Sequence, residues 1–174
     1  MFRIIPRRSL RLPLLWSLIM LLPGIVGAQN FAQVEQNNPA IRVEQVVAGL
    51  GVPWGMTFVA SEQLLVRERA GSARLVNLQT GSIARLEGLP AIAAQGQGGL
   101  LDVSIGPDYA RDGWIYFTYS KPVDGNGATT LARARLDGLL LLDWQDLLVT
   151  DSATSSGQHF GSRIAFDREG HVFF

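Results

Sequence analysis

The stretch Gly157-Gln-His-Phe-Gly-Ser-Arg-Ile-Ala-Phe-Asp-Arg-Glu-Gly-His-Val-Phe-Phe174 sets a histidine between glycines, then a short strand, an acidic turn and a second apolar strand. Its second half is a layout that occurs twice upstream. The first copy is Trp54-Gly-Met-Thr-Phe-Val, a turn at Ala60-Ser-Glu-Gln63, then Leu64-Leu-Val-Arg-Glu68. The second is Leu101-Asp-Val-Ser-Ile105, a turn from Gly106 to Gly113, then Trp114-Ile-Tyr-Phe-Thr-Tyr119. Aligned on Phe58, Ile105 and Phe166, the copies are spaced by 47 and 61 residues. Ser72 to Leu78 and Thr130 to Leu136 are further strand candidates between them. From Ile41 onward no segment sustains a helical period.

A unit of about four short strands that recurs roughly every 40 to 50 residues predicts the blade of a β-propeller. Each blade has an apolar face that only a neighbouring blade covers, so blades stack. A β-sandwich is the competing all-β reading, and it predicts no such repeated pair. Propellers carry about 4 to 8 blades, and this chain has room for about three. The expected organisation is therefore a partial propeller over 41–174, truncated at its C-terminus, with the remaining blades supplied by a longer parent.

The segment Met1–Ala28 has another character. It carries Arg3, Arg7, Arg8 and Arg11 and no acid, then an apolar run from Leu12 to Leu22, then Pro23-Gly24 and the small-residue end Val26-Gly27-Ala28. Basic, apolar and small in that order predict a secretory signal peptide cleaved after Ala28. The run is broken by Pro13 and Pro23 and falls short of the roughly 20 residues that span a bilayer. Hence no membrane span is expected after cleavage, and the protein is expected to be periplasmic or secreted in a bacterium. Residues 29–40 read as a polar leader rich in Asn and Gln.

Without the four arginines of this segment, 11 basic and 15 acidic residues remain, a net charge of −4. No basic cluster suits a phosphate backbone, so no nucleic-acid partner is expected. The chain has no cysteine, which excludes disulfides, thiol chemistry and a lipid on cysteine. The mature part, about 146 residues, must fold on its hydrophobic core alone.

Few residues could carry chemistry. The loop Gly96-Gln-Gly-Gly-Leu100 is neither a dinucleotide fingerprint nor a P-loop: a strand follows where a helix is required, and Lys-Ser/Thr is lacking. It reads either as a tight turn between blades or as the mouth of a site. His159, between Gly157 and Gly161, is free to take a proton from a substrate hydroxyl. His171 begins a strand and reads as structural or exposed. Arg133 and Arg135 alternate with Ala132, Ala134 and Leu136 on one strand face, a solvated face in preference to an anion site. Asp124-Gly-Asn-Gly127 resembles the start of a calcium loop, but Ala128 and Arg135 stand where later oxygen ligands belong, so it reads as a hairpin turn. No Gly-x-Ser-x-Gly elbow is present.

Six segments in this order resemble the soluble quinoprotein sugar dehydrogenases of the glucose/sorbosone dehydrogenase family, particularly its aldose sugar dehydrogenase branch. They are Gly51-Val-Pro-Trp-Gly-Met-Thr-Phe58, Leu65-Val-Arg-Glu-Arg-Ala-Gly71, Gly96-Gln-Gly-Gly-Leu-Leu-Asp-Val103, Trp114-Ile-Tyr-Phe-Thr-Tyr119, Thr130-Leu-Ala-Arg-Ala-Arg-Leu136 and His159-Phe-Gly-Ser-Arg-Ile-Ala-Phe-Asp167. The resemblance implies a six-bladed propeller that binds pyrroloquinoline quinone (PQQ) and calcium. It implies that His159 is the general base, taking the proton of the sugar's anomeric hydroxyl while hydride passes to the quinone. It places Gln97 beside cofactor and sugar, and an external electron acceptor completes the cycle. Ser162 stands where the family usually has a second glycine. The aspartate partner of the base, the quinone-polarising arginine, most carboxylate-gripping residues and the calcium ligands fall later in the family's chain, so no metal ligand is assigned here. The implied parent is a dehydrogenase, and the 174-residue chain alone is expected to be inactive. The alternative is a secreted propeller that only binds.

Overall fold

In Gln63–Glu68 three apolar residues follow one another, and the chain meets this by burying both sides of the strand: Leu65 faces one cluster, Leu64 and Val66 the other. That is the side-chain alternation of a central strand with both faces covered. The computed structural model describes Phe2–Pro6 and Ile41–Phe174, which divide into two units, Phe2–Gln45 and Val46–Phe174.

In the first unit, β1 (Phe2–Pro6) and β2 (Ile41–Gln45) pair antiparallel, with Phe2 opposite Gln45 and Pro6 opposite Ile41. Apart from Phe2–Pro6, the expected signal segment 1–28 lies outside the described residues, as does the leader 29–40. Among the described residues no helix is long and apolar enough to cross a membrane.

The second unit contains the repeat. One sheet runs β3 (Pro53–Ala60), β4 (Gln63–Glu68), β5 (Ser72–Asn77) and β6 (Ile83–Arg85) in that order. The next runs β7 (Leu100–Ile105), β8 (Trp114–Val123), β9 (Asn126–Asp137) and β10 (Leu140–Val149), again in chain order and antiparallel. A third begins with β11 (Ala165–Phe166) and β12 (Val172–Phe173). The three strand-turn-strand copies thus become β3–β4, β7–β8 and β11–β12, the first pair of each sheet.

The core lies between the two four-stranded sheets. Leu65 and Ala73 of the first meet Leu100, Val103, Ile115, Phe117, Tyr119, Ala132 and Ala134 of the second. A smaller cluster of Val47, Leu64, Val66 and Val76 covers the far face of the first sheet. Trp54, Met56 and Phe58, alternating along β3, stay about half exposed.

Turn chemistry follows the residues. Val123 pairs with Asn126, so Asp124 (φ 48°) and Gly125 (φ 79°) form a two-residue hairpin loop. Two successive positive φ values define the turn type that matches strand twist, and the reading as a turn holds. Within the loop Gly106–Gly113 one helical turn, α1 (Tyr109–Asp112), closes on Gly113 at φ 70°.

Two differences from the sequence reading have physical causes. Leu140–Val149 is a strand that the residue pattern does not announce, because register shifts between Leu142 and Gln145 and between Asp146 and Leu148 break its two-residue period. These are β-bulges, which put two residues opposite one. The strand expected over Arg163–Phe166 shortens to Ala165–Phe166, because the Ile164 N–H donates to the Asp102 carboxylate at 2.8 Å.

Candidate active site

The loop that carries His159 depends on an unusual backbone. Gly157 (φ 66°), His159 (φ 63°), Gly161 (φ 63°) and Ser162 (φ 128°) all adopt the left-handed side of φ space within six residues. For non-glycine residues such conformations persist only when their surroundings over-determine them. Four attachments do so. The His159 N–H donates to Gln97 Oε1 at 2.9 Å. Thr129 Oγ1 donates to the Phe160 carbonyl at 2.9 Å, and Thr118 Oγ1 to the Ser162 carbonyl at 2.8 Å. Asp102 receives both Arg163 Nη1, at 3.0 Å, and the Ile164 N–H. Alternation along β7, β8 and β9 brings Asp102, Thr118 and Thr129 under the loop.

Phe160 is the loop's apolar anchor. Its ring is buried against Gly127, where an added Cβ would stand 3.1 Å from the ring. Burying Phe160 turns its neighbour outward, and His159 is exposed.

The Gly96–Leu100 loop joins the first sheet to the second and interlocks with the histidine loop. Gln97 N–H donates to the Gly157 carbonyl at 2.7 Å while Gln97 Oε1 accepts from His159, so one residue ties both ends of the turn. The approach needs a glycine: a Cβ on Gly96 (φ 56°) would lie 2.3 Å from the Gly157 oxygen. Arg69 Nη1 donates to the Gly96 carbonyl. Beneath, Ser120 Oγ accepts the Gly99 N–H and donates to the Ala93 carbonyl, both at 2.7 Å, which fastens the loop to β8. The two readings of this loop, turn between blades and mouth of a site, describe one structure. The two candidate site residues, Gln97 and His159, 62 positions apart, are in direct contact.

The remaining candidates lie elsewhere. His171 is exposed, its Nδ1 2.6 Å from Asp167 Oδ2, and Asp167 Oδ1 accepts the N–H groups of Glu169 and His171 at 2.8 Å. The imidazole contact and these N–H groups hold the Asp167 carboxyl below the usual carboxylate range. Arg133 and Arg135 each stack 4.1 Å from the Trp114 ring centroid and bond to Gln145 and Asp143. They cover an aromatic ring, so the face is less solvated than alternation alone implies.

Residues able to hold an anionic cofactor are present at the rim. Arg163 keeps a largely exposed guanidinium beside the loop while it bonds Asp102, and Arg69 stands against Gly96. Their charge suits the carboxylates of an anionic cofactor, and each is attached at one of the two loops that carry Gln97 and His159. Calcium does not fit the described residues in the same way. Asp167, Glu169 and His171 bring ligand atoms within 4.8 Å of one another, but Asp167 is committed to its turn and Ca²⁺ takes about 6 to 8 oxygens.

Sequence reading missed Asp102, Thr118 and Thr129. Asp102 had a signal: an acid inside Leu100-Leu-Asp-Val-Ser-Ile105 is a buried charge if the strand is internal, and buried charges are paired.

Residues 50–174 match the family described as Glucose / Sorbosone dehydrogenase. The chain is 34% identical over 137 residues to the aldose sugar dehydrogenase YliI of Escherichia coli strain K12, covering 76% of this chain and 37% of that protein. A crystal structure of glucose dehydrogenase superposes with TM-score 0.70 at 34% identity, over 74% of this chain and 38% of the other. The PQQ-bound form of an aldose sugar dehydrogenase from Streptomyces coelicolor superposes with TM-score 0.64 at 27% identity, over 74% and 39%. The chain spans about a third of the length of the curated relatives it matches. The repeated antiparallel sheets are therefore those of a sugar-dehydrogenase propeller, and the chain belongs to the Glucose / Sorbosone dehydrogenase family.

Proposed function

We propose that the protein is an exported quinoprotein oxidoreductase that oxidises the anomeric hydroxyl of aldose sugars, with His159 as general base. The observation that carries this reading is the contact between His159 and Gln97, which joins the only two residues the resemblance assigns to the site. A base must be held within reach of the proton it removes. Here the backbone of His159 is tied down while its ring faces outward, which suits a group that meets substrate. Pyrroloquinoline quinone, when bound, supplies the hydride acceptor. Arg69 and Arg163 give its carboxylates cationic partners, and Gln97 fixes the histidine's backbone at the edge of the same surface. The PQQ-bound relative supports this cofactor. Calcium, further ligands and an electron acceptor belong to the proposed activity of the whole protein, since the matched part of this chain spans only about a third of the relatives' length. The periplasm or exterior is the proposed location, on the strength of residues 1–28.

The test is reconstitution of the whole protein with quinone and calcium, followed by dye reduction on adding aldoses; the 174-residue chain treated in the same way should give none. We expect sugar-dependent turnover that falls by at least about 100-fold in His159→Ala, the lower end of what a positioned base contributes. Turnover unchanged in that variant would refute the assignment of the base. Sugar binding without turnover in the holoprotein would favour a binding module.

A further inference from the structure

Behind the histidine loop lies a buried ionic cluster. The Asp102 side chain is 4% exposed, and its Oδ1 stands 3.0 Å from Arg163 Nη1 and 3.8 Å from Arg67 Nη2. Its Oδ2 accepts the Ile164 N–H at 2.8 Å. Arg67 on β4 is 1% exposed and donates from Nη1 to the Leu100 carbonyl at 2.5 Å, and its Nε has no partner among the described residues. Burial pulls this guanidinium down to about 9, while Asp102 opposes the shift. A buried cation with an orphaned N–H is costly. It is placed where its charge bears on Asp102, and the chain makes room for it. A Cβ at Gly55 would lie 2.7 Å from Arg67 Nη2 and 2.9 Å from Asp102 Oδ1.

Asp102 does not contact His159. Its partners, Arg163 and Ile164, follow directly on Ser162, where the run of left-handed residues ends. Thr118 and Thr129 hold the same loop through neutral hydroxyls, and Gln97 holds it through a neutral amide. Asp102 is the one ionised attachment among these four, and hydrogen bonds to charged groups are roughly twice as strong as neutral ones. It also joins three sheets, through Arg67 of β4, its own strand β7, and the residues that lead into β11.

We propose that Asp102, backed by the buried Arg67, is the positioning residue of the His159 loop: its carboxylate holds the Arg163 side chain and the Ile164 N–H and thereby sets where the imidazole stands. The consequence for turnover rests on His159 being the base; the positioning itself does not.

The experiment is hydrogen exchange read by mass spectrometry on the intact protein, wild type against Asp102→Asn. The expected result is exchange faster by about tenfold in peptides covering 157–164, with β8 and β9 unchanged, since local opening reports the attachment that is lost. Exchange unchanged at 157–164, or raised equally through β7–β9, overturns the proposal. Arg163→Gln alters a mostly exposed side chain, so it folds even if the Asp102 variant does not. It should raise exchange in the same peptides, by a smaller factor because Ile164 keeps its bond, and no change there also overturns the proposal. In the reconstituted holoenzyme, Asp102→Asn should lower kcat about tenfold with KM unchanged. His159→Ala assayed beside it separates the two ideas: full activity in that variant refutes the base and leaves the exchange result to judge Asp102.

Discussion

Ser162 is a serine in a backbone conformation that favours glycine, and replacing it tests whether the histidine loop stores strain. Its φ of 128° lies outside the wells that side chains with a Cβ prefer. Holding a residue there costs about 1–3 kcal/mol. Ser162→Gly removes that cost and returns about 0.5–1 kcal/mol through the extra freedom of glycine in the unfolded chain. The bond from Thr118 Oγ1 survives, because it is accepted by the Ser162 backbone carbonyl. The net expectation is a gain of about 0.5–2 kcal/mol. For a protein of roughly 150–250 residues this raises Tm by about 2–4 °C per kcal/mol. Urea unfolding followed by circular dichroism should show a higher midpoint with unchanged slope, since a changed slope would mean a changed denatured state. Ser162→Ala keeps the Cβ and should show no gain. A Ser162→Gly protein that is less stable than wild type, or an alanine variant that gains as much, would refute the strain argument.

Gly96→Ala places a Cβ 2.3 Å from the Gly157 oxygen at φ 56°. The two loops must part, so Tm should fall by an amount that reflects at least about 1–2 kcal/mol, and sugar turnover should fall with it; unchanged Tm and turnover would mean that the loops do not interlock. A separate expectation concerns acid. Burial pushes the Glu68 carboxyl up, but hydrogen bonds from Ser72, the Gly51 N–H and Arg74 outweigh it and leave the group below its ordinary 4.5. A depressed carboxyl contributes stability that is present above the unfolded value and lost as pH falls through the folded one. Thermal unfolding between pH 6 and pH 3 should therefore show a steeper loss in wild type than in Glu68→Gln, and equal losses would refute the role of Glu68.

Much of the architecture was legible in residues. The alternation around Phe58, Ile105 and Phe166 marks the first hairpin of each sheet, and Asp124-Gly125 marks a two-residue turn. Both signals are local: period and turn chemistry act within a few residues. Strand β10 was not legible, because its bulges destroy the period that would announce it. The candidate site divides in the same way. Glycines around His159 and Gln97 pointed to two special loops, but nothing in either stretch says that they touch.

That contact depends on how the sheets stack. Gly96 meets Gly157 because the loop entering β7 and the loop entering β11 emerge on the same side of neighbouring sheets. Asp102 shows the difference most plainly. By itself the sequence determined that an acid sits in an apolar strand, that a histidine sits in a glycine-rich loop, and that the strands recur at the interval of propeller blades. Only the tertiary structure decided that this acid, backed by Arg67, bonds the residues next to the loop. The reason is that a buried charge takes its partners from whatever packing brings within about 3 Å, and packing is set by distant parts of the chain.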